Sequence, residues 1–179
     1  MKASTFFSLL GFLGLVSALR ATTTRYFDGT IGACGCGSNS GMFGWQTGIS
    51  PGVYTAAGSQ ALFDQTGSTW CGLDCGLCYN LTSTGSSPCD TCGGGGSPER
   101  GGSAGQSIIV MVTNLCPYNG NQQWCPEPGD SNVYGFQYHF DIMAQAEVFG
   151  DNVVVDFEPV QCPGVATSDW YQCQCHHGG

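Results

Sequence analysis

Ser107-Ile108-Ile109-Val110-Met111-Val112-Thr113 holds five apolar residues in a row, bounded on both sides by turn formers. A short apolar run with such edges predicts a strand buried on both faces. Working outward, Asn152 to Phe157 predicts a second strong strand, Thr22 to Phe27 a β-prone first strand, and Tyr79 to Thr82 a further one. Ala56 to Phe63 suits a short helix or turn. Phe136 to Phe140 leads into Asp141, with a short helical piece expected from there to Phe149. Residues 29–44, 83–105 and 116–134 are rich in Gly, Ser, Pro and Cys and are expected to be loops. There is no internal repeat and no long amphipathic helix. Short strands, turn-rich connections and many cysteines predict an all-β fold, a barrel or a sandwich; spacing does not choose between them.

The first residues stand apart from this pattern. Lys2 is followed by an apolar run from Phe6 to Val16, and Val16-Ser17-Ala18 carries the small residues of a cleavage site. A secretory signal peptide over 1–18 is expected, too short for the roughly 20 apolar residues of a membrane span. The remaining 19–179 fits one domain, expected to be secreted and monomeric. Twelve cysteines then imply disulfides, six at most, of undetermined pairing. Three Arg and no Lys stand against thirteen Asp plus Glu in this part, a balance of −10. Nucleic acid and anionic membrane are poor partners for such a surface. A neutral polymer such as a polysaccharide fits better, since aromatic residues are 12% of the chain and sugars dock on aromatic faces without needing charge. Cys34-Gly35-Cys36 and Cys71 to Cys78 have zinc-like spacings, but disulfides are expected of them in a secreted chain, and no metal or cofactor is expected.

Two aspartates close short aromatic segments more than a hundred residues apart: Thr24-Arg25-Tyr26-Phe27-Asp28 and His139-Phe140-Asp141. Taken alone, Asp28 before Gly29 is a turn residue and Asp141 a helix N-cap. Taken together, they suit glycosidic bond hydrolysis, which uses one carboxyl group to protonate the leaving oxygen and another to activate water or attack. Thr-Arg-Tyr-aromatic-Asp near the mature N-terminus with a later His-Phe-Asp resembles the glycoside hydrolase family 45 endoglucanases. The resemblance runs over nearly all of 19–179 and is closest to fungal catalytic domains of the endoglucanase V type.

That resemblance implies a six-stranded double-psi β-barrel with long disulfide-braced loops, short helices and an open groove. It implies an inverting endo-β-1,4-glucanase, with Asp28 as general base and Asp141 as general acid, the two carboxyl groups roughly 6.5–9.5 Å apart to admit a water. Thr24, Arg25, Tyr26, Trp45, Asn114 and His139 match residues of the substrate groove, with Asn114 orienting water or substrate. A guanidinium at Arg25 would favour an ionised Asp28. Some relatives carry a third aspartate seven residues before the acid, where this chain has Tyr134. No linker or carbohydrate-binding module is expected after Cys175, and amorphous or soluble glucan is accordingly expected to be a better substrate than crystalline cellulose. Two non-hydrolytic alternatives share the barrel. Expansin-like proteins generally lack the N-terminal aspartate and add a second β-rich domain; barwin-like polysaccharide-binding proteins need neither aspartate.

Overall fold

The computed structural model describes residues 18–89, 101–150 and 152–177. All but Ala18 of the expected signal segment lies outside the described residues, as do the four glycines from Gly93. Six strands close into a barrel: β1 (Leu19–Tyr26), β2 (Val53–Ser59), β3 (Cys78–Ser83), β4 (Ser107–Cys116), β5 (His139–Met143) and β6 (Val154–Val160). Around the barrel the order is β1-β5-β2-β4-β3-β6. The pairs β1–β5 and β2–β4 are parallel and the others antiparallel. This is the double-psi β-barrel. Closure leaves none of the six strands with an open edge.

The apolar run at 107–113 is the central part of β4, where Val110, Met111 and Val112 are completely buried. The strand continues to Cys116 and carries Asn114 within it. Phe140 and Phe157 pack edge-on with ring centroids 5.2 Å apart, and Tyr79 joins both at 5.5 and 5.8 Å. Such contacts add about 0.5–1.5 kcal/mol each beyond the area they bury.

Two expectations are corrected. The segment begun at Ala56 is not purely helix or turn. Val53–Ser59 is a strand, and only Gln60–Phe63 forms one helical turn, α1. Its small residues conceal the strand: Ala56, Ala57 and Gly58 lie between β4 and β5, and a Cβ on Gly58 would sit 3.0 Å from the Leu62 side chain. Asp141 caps no helix. It lies within β5, paired to Thr24 on one side and Ala57 on the other, and no helix follows before Phe149. Two neighbouring strands impose an extended backbone there, overriding local preference. The second helix, α2 (Gly164–Trp170), packs beside Gly76, where a Cβ would run into the Trp170 indole.

Five disulfides are described: Cys34–Cys75, Cys36–Cys173, Cys71–Cys175, Cys78–Cys162 and Cys116–Cys125. Cys89 is bonded as well. The first three tie the loop after β1, the loop before β3 and the C-terminal segment into one knot. Each is typically worth about 2–4 kcal/mol, by restricting the unfolded chain.

Gly32 rests directly on the Thr113 carbonyl of β4, with Asn114 Cβ 3.2 Å from where its own Cβ would lie. Gly32→Ala should therefore cost about 1–3 kcal/mol of stability. A denaturant melt against the unmodified protein checks this; an unchanged midpoint would show that the loop has room to shift.

Candidate active site

The parallel register of β1 and β5 builds the site. Thr22 faces His139 and Thr24 faces Asp141. Successive side chains on a strand point to opposite faces. Phe140 and Ile142 enter the core, while His139 and Asp141 lie on the other face beside Thr22, Thr24 and Tyr26. Across β5, Asp141 is opposite Ala57 of β2, whose neighbours are Cys116, Cys125, Tyr26 and Trp124.

A directional chain of hydrogen bonds runs to Asp141. The Thr24 hydroxyl donates to Asp141 Oδ1 at 2.6 Å. That uses its only proton, so its contact of 2.9 Å with His139 Nε2 has Nε2–H as donor. His139 Nδ1, the unprotonated nitrogen of this neutral tautomer, accepts from the Thr22 hydroxyl at 2.8 Å. Thr22 in turn accepts from Asn132 Nδ2 at 2.9 Å. His139 is completely buried, and burial drives its pKa down to about 3, so the ring stays neutral at working pH. Burial pushes the Asp141 carboxyl up to about 6; the Thr24 bond opposes the rise and the charge of Asp28 adds to it. With Oδ1 occupied as an acceptor, the proton of the neutral acid belongs on Oδ2.

Asp28 follows the end of β1 on an exposed turn, where its Oδ1 accepts the Thr30 N–H at 3.0 Å. Gly29 supplies the positive φ of 68°. Asn114 anchors this loop: its Oδ1 accepts from Ala33 N at 2.7 Å and Leu115 N at 2.9 Å, and its Nδ2 donates to the Tyr26 hydroxyl at 3.0 Å. Burial holds the Tyr26 phenol above its ordinary pKa, opposed by the Asn114 bond and reinforced by the charges of Asp141 and Asp28. Tyr26 thus lies in the field of both carboxylates.

Thr24, Tyr26, Asn114, Asp28 and Asp141 are brought together. His139 is next to them but completely buried, and its contact with Asp141 runs through the Thr24 hydroxyl. Arg25 lies on the opposite face of β1 from Thr24, exposed. Trp45 stacks on Phe43, ring centroids 5.6 Å apart, and packs against the core. Thr22 and Asn132 join the site through the hydrogen-bond chain, although no motif singles them out. The alternation Thr22-Thr23-Thr24 carried a period-2 signal for Thr22; nothing local marks Asn132. Cys116, Cys125 and His139 cluster closely enough to suggest a metal. The two sulfurs are joined in a disulfide and both ring nitrogens of His139 are engaged by threonines, so this set does not suit an ion. A hollow of about 420 Å³ lined by Leu19, Asp74, Tyr79, Tyr138 and Phe157 opens near the start of β1, away from Asp28.

Residues 21–177 match the family model described as EXPB1-like domain 1. The chain is 69% identical over 163 residues to Endoglucanase-5 of Hypocrea jecorina, covering 91% of this chain and 65% of that protein. It is 38% identical over 177 residues to an endoglucanase of Mytilus edulis, covering 88% and 91%. The chain belongs to the glycoside hydrolase family 45 endoglucanases. Among solved members, EG27II in complex with cellobiose superposes with a TM-score of 0.76 at 36% identity over 90% of each chain. The β-1,4-D-endoglucanase Cel45A of the blue mussel Mytilus edulis gives 0.71 at 36% identity, over 90% of this chain and 94% of that one. This family 45 chain spans only about two thirds of the Hypocrea relative.

Titrating the Asp141 carboxyl by carbon-13 NMR should give a midpoint near 6. Thr24→Val removes the bond that favours the carboxylate and should move the midpoint up; Asp28→Asn removes the neighbouring charge and should move it down. A midpoint near 4 in the unmodified protein would show Asp141 to be well solvated.

Proposed function

We propose that this protein hydrolyses internal β-1,4 bonds of glucan chains with inversion, Asp141 acting as general acid and Asp28 as general base. The observation that carries the reading is the contrast between the two carboxyl groups. Asp141 is buried, raised to about 6 and held by Thr24, while Asp28 stands on an exposed loop close enough for its charge to act on Asp141. A buried carboxyl group raised in this way beside an exposed one suits an acid and base pair.

In the reaction, neutral Asp141 donates its Oδ2 proton to the glycosidic oxygen as the bond to the anomeric carbon breaks. Asp28 takes a proton from a water attacking that carbon from the opposite face, leaving a product of inverted configuration. Asp141 then regains a proton from solvent and Asp28 releases one. Room for the water calls for roughly 6.5–9.5 Å between the carboxyl groups. Thr24, itself held by His139, donates to the acid's Oδ1 and leaves Oδ2 to carry the proton. Tyr26 and Asn114 set the loop that bears the base. The substrate is a β-1,4-glucan. The protein acts outside the cell as a monomer after loss of residues 1–18.

Release of reducing ends from soluble carboxymethyl cellulose tests this reading. Asp28→Asn and Asp141→Asn should each lose at least about a hundredfold with folding intact. Because the acid must be protonated, activity of the unmodified protein should fall as pH rises through about 6. No release from any β-glucan would leave a non-hydrolytic wall-polysaccharide binder as the reading, the class to which a barrel domain without need of Asp28 would belong.

A further inference from the structure

Trp124 and Tyr134 form an aromatic pair outside the acid and base, beside His139. Their ring centroids are 4.7 Å apart, and the Trp124 ring lies 5.7 Å from the His139 ring. Trp124 also packs on the patch of Ala57, Cys116 and Cys125 that carries Tyr26, and Ala57 is the cross-strand neighbour of Asp141. The pair therefore borders the acid across one strand. Both residues are half-buried.

A disulfide and one buried asparagine fix the two segments that carry this pair. Cys116–Cys125 closes the loop that presents Trp124. Asn132 fixes the rest: its Oδ1 accepts from Tyr134 N and Phe136 N, both at 3.1 Å, shaping the turn that presents Tyr134. Its Nδ2 donates to the Trp124 carbonyl at 3.0 Å, joining the two ring-bearing segments, and to Thr22. The Tyr134 hydroxyl accepts from exposed Gln123 rather than from anything in the core. One side chain thus sets both the rings and the hydrogen-bond chain that ends on Asp141.

We propose that Trp124 and Tyr134 form a stacking platform for a glucose unit beside the scissile bond, on the Asp141 flank of the groove. This rests on the glucanase reading above. A glucopyranose ring presents an apolar C–H face, and a preformed aromatic surface receives it with little loss of conformational freedom. Because Asn132 ties platform and acid together, a sugar seated on the rings would be held in register with the proton on Asp141.

Calorimetric titration of cellotetraose into the inactive Asp141→Asn protein tests the platform without depending on turnover. Adding Tyr134→Ala should weaken binding roughly fivefold to tenfold, the scale of one aromatic contact. Adding Tyr134→Leu, which keeps apolar cover over Trp124, should weaken it comparably, and Tyr134→Phe should stay within twofold. In the otherwise unmodified protein, Tyr134→Ala should raise KM for cellopentaose by a similar factor, with kcat and the pH profile nearly unmoved. Unchanged affinity in both the Ala and Leu variants overturns the platform. So does a shifted pH profile with KM constant, which would mean the ring acts only through His139, and so does absence of any cellotetraose binding. If the unmodified protein cleaves no glucan, the hydrolytic reading fails by itself, and the titration still decides whether the rings bind sugar.

Discussion

Thr24 and Asp141 meet across a parallel strand pair, and the chemistry of the site depends on that register. A shift of one residue would turn Asp141 into the core and bring Phe140 to the groove. Two features hold it in place. Phe140 and Ile142 are locked among the core rings on one side of β5, and the threonine–histidine ladder pairs with β1 on the other. A single alternating strand therefore serves both the core and the acid.

The buried half of the site is arranged so that no ionic charge is trapped. His139 is neutral, both its nitrogens are satisfied, and the threonines carry the polarity between Asn132 and the carboxyl group. An imidazolium at that depth would be costly and would draw Asp141 toward its ionised form. A neutral histidine leaves burial as the dominant influence, and the carboxyl stays raised. The exposed half differs: Asp28 rides on a loop held by Asn114 and the disulfide knot rather than by a core. Asp141 and Asp28 thus owe their different exposure to strand and loop respectively.

The sequence was informative where local chemistry dictates structure. The apolar run at 107–113 had to be a buried strand, and an Asp-Gly step had to turn. Twelve cysteines with hardly any cations indicated an oxidised, neutral-ligand protein. It was silent where small residues are demanded by neighbours, as in β2, whose alanines and glycine have little strand preference of their own. It misled at Asp141, where a helix cap was plausible until two adjacent strands fixed an extended backbone.

By itself, then, the sequence determined the all-β class, the two aspartates and their family pattern, because these are carried by residue type and spacing. Tertiary structure decided the rest. It buried His139 completely, put Arg25 on the opposite face of β1, and brought Thr22 and Asn132 into the hydrogen-bond chain that ends on Asp141. It also raised one carboxyl group and exposed the other. The physical reason is that burial, register and hydrogen-bond direction belong to neighbours distant along the chain, and no local stretch of sequence records which neighbours those will be.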